Sequence, residues 1–268
     1  MSLPKLSVID KPNKELFENF KQFATSSDGW TSAYKKDFIE VFTRPVKDSK
    51  ILQIKIVGFV KNLKAEDLYD TIHDGKYRKV WDLAMLEGED VCRIGTNSDI
   101  GYYLCKNEFK CPKIFKNRDF LTQRFWIAQD NEFIIFNHSV SHSKFPPSKK
   151  AIRAISHITG YYIEKIDENT LKLITVTHND PRGSIPKDML NILTKKMGPK
   201  IFLNLIDQAR KYADWKKKNE PDFKPWIKPE QMQFLPEYDP KDGSSELDLG
   251  PKDDCSISSE RIDFEMED

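Results

Sequence analysis

Cysteine is scarce in this chain. There are four, at positions 92, 105, 111 and 255, with no C-x-x-C pair and no spacing that fits a zinc site. Thiols scattered in this way suit a reducing compartment. Long apolar runs are also missing: nowhere are there about 18 consecutive apolar residues, so no helix is expected to span a bilayer. The stretch from Met1 to Phe20 is studded with Lys, Asp, Asn and Glu and holds no apolar run suited to a signal peptide. The phosphate-cradling G-x-x-x-x-G-K-S/T loop, the G-x-G-x-x-G turn and the G-x-S-x-G nucleophile elbow are all absent. These absences point to a cytoplasmic protein that meets membranes only at their surface, without a nucleotide or a cofactor.

Charge is unevenly spread. Residues 237–268 carry twelve acidic and three basic groups, a net of −9, while residues 1–236 carry 40 basic and 30 acidic groups, a net of +10. The mildly basic body suits an anionic partner such as phospholipid head groups or nucleic acid, and equally an ordinary solvated surface. The acidic end is poor in apolar groups and is expected to stay disordered, because it buries too little surface to offset chain entropy.

Periodicity supplies the element order. Leu16, Phe17, Phe20 and Phe23 recur at helical spacing. Strand patterns follow at 36–42 and at 51–60, where Leu52, Ile54 and Ile56 share a face. Asn62 is a plausible N-cap for a helix over 63–73. Further strands are expected at 91–94, 100–110, 120–128, 133–140, 152–166 and 171–178, joined by connections short enough to favour antiparallel neighbours. From Pro186 to Lys217 the apolar period is again 3.6, with Gly198-Pro199 expected to kink or restart the helix. The order is that of an α+β protein: a curved antiparallel sheet with a long helix over its open face.

No catalytic constellation emerges from the histidines. In NHSVSHS, His138 and His142 fall on one strand face with Val140, and Ser139, Ser141 and Ser143 on the other, so neighbours here cannot form a Ser–His pair. Residues 102–126 interleave aromatic and basic side chains, but no RNA-binding signature is present and the long helix would cover the platform. A nucleic-acid partner is not expected.

Six motifs stand in order: YRKVWD (77–82), IGYY (100–103), KNRDF (116–120), SHSKFPPSKKAIRA (141–154), DPRGSIPKDMLN (180–191) and YADWKKKNEPDFKPW (212–226). As an ordered set they closely resemble the START-domain lipid-transfer family, in its phosphatidylcholine-transfer-protein-like subgroup. The resemblance covers about residues 30 to 226. It implies the helix-grip fold, in which a curved antiparallel sheet surrounds a tunnel closed by the C-terminal helix. It also implies a non-enzymatic carrier that holds one phospholipid and exchanges it between membranes. The chain then divides into an N-terminal helical segment (1–29), the lipid-binding domain (30–226) and an acidic tail (227–268).

The resemblance assigns site residues where the motifs match. Arg78 is the arginine expected to meet the lipid phosphate, with Asp82 as its acidic neighbour; a guanidinium stays charged and donates in a fork. On the residues alone, the same pair reads as an i,i+4 ion pair on a helix turn. An aromatic cage for choline would include Phe120 and either Tyr103 or Asn107. His157 stands where the subgroup has a tyrosine, and either it or Thr159 would suit a primary ammonium, so a pocket that accepts phosphatidylethanolamine as well as phosphatidylcholine is expected.

Two segments read as a gate: Phe145, Pro146 and Pro147 in one loop, and Met189, Leu193 and Met197 on the long helix. Both are flanked by lysines that suit transient contact with an anionic membrane surface. Ser245, with Asp248 three residues later, is a setting for an acidophilic kinase. Two other classes compete with the carrier: a lipid-sensing adaptor, and a lipid or acyl-thioester hydrolase on the same scaffold.

Overall fold

The computed structural model describes residues 3–106, 116–183 and 187–250, and the side chains of all of these except 187–196. Helix α1 (Lys14–Thr25) precedes three strands, β1 (Thr31–Lys36), β2 (Ile39–Val46) and β3 (Ser49–Lys61). Two short helices follow, α2 (Ala65–His73) and α3 (Gly75–Trp81). Then come β4 (Met85–Gly95), β5 (Ser98–Cys105), β6 (Asn117–Ala128), β7 (Glu132–Ser139), β8 (Ala151–Arg153), β9 (Ile155–Asp167) and β10 (Thr170–Asp180). Helix α4 (Lys187–Lys216) is the last α-helix, and two short 3-10 turns, Pro229–Met232 and Pro240–Asp242, follow it. The strands form one sheet in the order β1-β2-β3-β10-β9-β7-β6-β5-β4, with β8 lying parallel to β6 and every other pairing antiparallel. This is the α+β helix-grip architecture that the element order and the resemblance imply.

Alternating side chains serve two faces. Ile54, Ile56, Ile135, Ile163, Leu171 and Leu173 point to one side, where Leu68 and Tyr69 of α2 and Phe202, Leu205, Ile206 and Ala209 of α4 complete a core. Ile134, Phe136, Ile158, Tyr162, Ile174 and Val176 point to the other, against Phe17, Phe20 and Phe23 of α1. Each fully buried phenylalanine contributes about 1.5–3 kcal/mol. Helix α1 therefore belongs to the folded body, and the division at residue 29 is not a structural one. One glycine on each face admits an aromatic ring at close range. A Cβ at Gly58 would lie 2.8 Å from the Phe202 ring of α4, and one at Gly160 would lie 2.4 Å from the Phe20 ring of α1.

Several local expectations are corrected. The strand expected at 36–42 is interrupted by a hairpin turn, with Asp37 at φ 52° joining β1 to β2. Asn62 does not cap α2. It takes a left-handed φ of 58°, which Asn tolerates, and Lys64 stands at the N-cap without a side-chain bond. Helix α4 runs through Pro199 as a single element. A mid-helix proline costs about 3 kcal/mol, and the turns that follow offset this by packing Phe202, Leu205, Ile206 and Ala209 onto the sheet.

The tail is the largest departure. Residues 227–250 are not a solvated coil. Met232 and Leu235 are buried in the α4-side core, and Tyr238 packs beside Val91, Cys92 and Ile100. Arg93 pairs with the tail in both directions: its N–H donates to Pro236 O and its carbonyl accepts from Tyr238 N–H, each at 2.9 Å. Further along, Ser143 N–H donates to Asp242 O at 2.8 Å and Ser7 Oγ to Ser244 O at 2.7 Å. A few well-placed apolar anchors are enough to dock an otherwise acidic segment. Residues 251–268 lie outside the described ones.

Candidate binding cavity

Asp74 ends α2 and caps α3, accepting from the backbone N–H groups of Lys76 and Tyr77 at 3.1 Å. Its other oxygen takes Tyr212 Oη at 3.1 Å and Lys216 Nζ at 2.8 Å, which ties α3 to the end of α4. This anchorage sets Arg78, one turn further on, against the sheet. Arg78 Nε donates to Asp82 Oδ2 at 3.0 Å, and the guanidinium lies 4.8 Å from the centre of the Tyr103 ring. Among the described residues it makes no other hydrogen bond, so both Nη groups remain available. Burial works against the guanidinium charge, yet Tyr103, Tyr161 and Asp82 together raise its pKa above the ordinary value. The i,i+4 pair that the residues alone suggest is real, and it is half-buried rather than lying on an open helix surface.

Arg78 lines a cavity of about 640 Å³ between the concave face of the sheet, helices α2 and α3, and the segment that follows α4. The volume is in the range of ligand-holding pockets. Tyr103, Phe120 and Thr159 line it as well. The expected residues Arg78, Tyr103, Phe120 and Thr159, with Asp82 behind the first two, are thus brought together. Tyr161 adds a further ring. Asn107 lies outside the described residues.

His157 is not at the cavity. Strands β9 and β10 slip out of register where His178 pairs with Ile158 and Asn179 with Ser156, leaving His157 as the extra residue of a β-bulge. Ser156, Thr159 and Asn179 line the cavity, while His157 stacks on His178 with ring centroids 4.5 Å apart. A strict period of two places 157 beside 159; one inserted residue turns it away.

The residues expected at a gate lie away from the cavity lining wherever their side chains are described. Phe145, Pro146 and Pro147 line no part of the cavity. Phe145 packs on Tyr102 at 5.8 Å and on His142 at 6.1 Å, and its carbonyl accepts from Arg153. Met197 is half-buried and lines no part of it either, and the side chains of Met189 and Leu193 lie outside the described ones.

Three features of the cavity escape a reading of the sequence. A second guanidinium, Arg124, lies flat over Gly101, where a Cβ would be 2.7 Å from Arg124 Cζ. It donates to Asp99 at 2.6 Å and also to Asp90. Burial opposes its charge, and the two carboxylates outweigh burial and raise its pKa. A second feature is a polar patch, in which Ser156 Oγ donates to Asn137 Oδ1 and Thr159 Oγ1 to Asn179 Oδ1, each at 2.9 Å. Third, the segment after α4 makes a wall. Trp226 Nε1 donates to Asp70 at 2.6 Å, and its ring stacks on His73 at 5.7 Å. The signal available in the sequence was the cluster Trp226, Met232, Phe234 and Leu235 in an otherwise polar stretch.

The nearest approach to a catalytic set lies elsewhere. Cys92 Sγ is 3.9 Å from His142 Nε2, and Asp242 is 3.8 Å from the same nitrogen. Burial pushes the Cys92 thiol up to about 11, so it stays protonated and is a poor nucleophile. Residues of the KNRDF, SHSKFPPSKKAIRA and DPRGSIPKDMLN motifs serve the frame. Asp119 of the NRD stretch forms a buried pair with Arg153, with bonds of 3.1 and 3.0 Å, and Arg118 donates to the carbonyls of Pro181 and Arg182 ahead of α4. Among the described residues no helix is long and apolar enough to cross a membrane.

Comparison with known proteins agrees with this architecture. The START domain family matches residues 13–211. START domain-containing protein 10 of Mus musculus is 36% identical over 224 residues, covering 83% of this chain and 76% of the relative. Phosphatidylcholine transfer protein of Mus musculus is 21% identical over 207 residues, covering 76% of this chain and 94% of the relative. The crystal structure of human STARD10 superposes with a TM-score of 0.83 at 34% identity, over 90% of this chain and 96% of that one. A family match across most of the length, a relative above one-third identity and a shared helix-grip fold all agree: this chain belongs to the START domain family.

Proposed function

We propose that this protein holds one intact phospholipid in its cavity and carries it between membranes in the cytoplasm without cleaving it. The observation that carries the reading is Arg78, a guanidinium fixed through Nε, with neither Nη group bonded to any described residue, beside a cavity of about 640 Å³. Such a group suits a phosphate diester. Tyr103, Phe120 and Tyr161 offer ring faces to a choline ammonium. Thr159 offers a hydroxyl to ethanolamine, a role in which His157 has no part. A relative that bears the name phosphatidylcholine transfer protein supports the same ligand class. The energetics require a carrier: two acyl chains with about 30 methylene groups, at about 0.8 kcal/mol each, make a free lipid in water cost on the order of 25 kcal/mol. Exposed Ser245 is the proposed acceptor for an acidophilic kinase.

Native mass spectrometry of the purified protein tests this reading. The expected result is a mass increment equal to one intact phosphatidylcholine or phosphatidylethanolamine, lost in Arg78→Ala while circular dichroism is unchanged. Equal loading of the variant removes Arg78 from the site.

A further inference from the structure

The cavity has a mouth, and its position differs from that of the gate suggested by the sequence. Most lining residues are buried or half-buried. The exposed ones are Gly75, Lys76 and Lys79 on α3, Glu89 and Asp90 on β4, and Glu220 and Phe234 after α4. The opening therefore lies between the α3–β4 corner and the segment that follows α4.

Of the large exposed apolar side chains here, Phe234 lines the cavity, and Val80, Leu83, Leu86 and Ile227 follow lining residues closely in the chain. At the corner Val80 is 60% exposed, Leu83 80% and Leu86 50%; across the mouth Ile227 is 47% and Phe234 61% exposed. Leu83 sits in the turn where Met85 N–H donates to Asp82 O, a bond of 3.0 Å, so it projects from a closed corner rather than from a loose loop. Burying such side chains is favourable, and Phe234 at the mouth with four more exposed beside the lining segments marks a surface suited to being covered. The charges of the rim are mixed. Lys76 and Lys79 stand against Glu89, Asp90 and Glu220, with Lys76 bonded to Glu220 at 2.6 Å. A rim with both signs and no positive excess fits head groups that carry both signs, phosphate toward lysine and ammonium toward carboxylate. It is a poor match for a strongly anionic sheet of lipid.

We propose that the α3–β4 corner, with Ile227 and Phe234 opposite, is the face this protein lays on a zwitterionic bilayer, bringing the mouth of the cavity onto the lipid. The inference rests on the phospholipid-carrier reading for the identity of the occupant. It differs from that reading in placing the contact away from the 145–147 loop and in driving it by apolar insertion rather than by basic charge.

The test is flotation of the full chain with vesicles of phosphatidylcholine and phosphatidylethanolamine, without anionic lipid. The variants are Leu83→Glu and Val80→Glu/Leu83→Glu. Phe38→Glu and Phe59→Glu, exposed at the opposite end of the sheet, serve as controls. The bound fraction is expected to fall by at least about tenfold in the double variant. It should change little in the controls, and little between about 0.05 and 0.5 M salt. Leu83 is too exposed for its replacement to unfold the chain, so the single variant keeps the test valid if the double one misfolds. Flotation of the Leu83 variants equal to wild type overturns the proposal, as does wild type that binds only when anionic lipid is added. Native mass spectrometry of the same samples reads lipid occupancy separately. An empty protein that still floats through Leu83 refutes the carrier reading and leaves the docking face standing.

Discussion

Arg78 and Tyr103 converge on one atom: Nε of the arginine and Oη of the tyrosine each donate to Asp82 Oδ2 at 3.0 Å. The other carboxylate oxygen accepts from Ala84 N–H at 3.2 Å. Asp82 is thereby held, and it aims the guanidinium without consuming it. Tyr103→Phe removes one neutral donor and should weaken phospholipid binding by about 1 kcal/mol, roughly fivefold. Asp82→Ala frees the guanidinium and should cost more. Arg78→Lys should not restore wild-type affinity, since a single ammonium replaces a planar fork. Displacement of a fluorescent phosphatidylcholine orders the three, and a Tyr103→Phe defect as large as that of Asp82→Ala would contradict the arrangement.

Asp119 and Arg153 form a pair in which both side chains are almost fully buried. Breaking such a pair strands a charge and typically costs 3–5 kcal/mol. Asp119→Ala should therefore lower the urea midpoint strongly, with lipid preference unchanged in whatever fraction stays folded. A variant of near wild-type stability would show that the pair contributes little to the frame.

The two close approaches to glycine give a contrast. Gly160→Ala puts a methyl group 2.4 Å from the Phe20 ring, which itself stacks on Phe136 at 4.8 Å and has little room to yield. Overpacking of this kind costs about 1–3 kcal/mol. Gly95→Ala meets only Pro12 at 3.5 Å, an ordinary contact. Thermal unfolding should separate the two by several degrees.

Acid should destabilise the protein through its buried histidines. Burial holds His138 at about 4, and burial with the neighbouring His157 holds His178 at about 4. In the unfolded chain a histidine titrates near 6.5. Between those values the unfolded state takes up a proton that the folded state refuses, so stability falls as pH drops from about 6.5 to about 4. The slope approaches about 1.4 kcal/mol per pH unit for each such residue. His138→Phe, stacked in the same place on Phe125, should make urea unfolding less sensitive to pH in this window. An unchanged slope would assign the acid sensitivity elsewhere.

The limits of the sequence follow from particular residues. Period-two patterning placed Ile54, Ile56 and Leu52 on the face that α4 covers, because a half-buried strand records its two environments directly. The resemblance brought Arg78, Asp82, Tyr103, Phe120 and Thr159 to one cavity. Periodicity failed at His157, since a bulge leaves no mark in composition and reverses every assignment made by counting across it. Arg124 and Asp99 stay hidden because the register of β5 on β6 that sets them opposite one another leaves no mark in composition or periodicity. Average polarity hides the docking of the tail, which Met232, Leu235 and Tyr238 are enough to anchor.

Strand β4 closes one end of the sheet, and a strand in that position presents backbone groups that any passing chain can pair with. Here the chain's own tail occupies part of that edge, through the bonds of Arg93 to Pro236 and Tyr238. Removing residues 236–250 should therefore do more than lower the melting temperature. It should open a template for self-association, visible as concentration-dependent growth in light scattering. On this reading the tail serves solubility: it keeps a sheet that must stay open on the inside from being read from the outside.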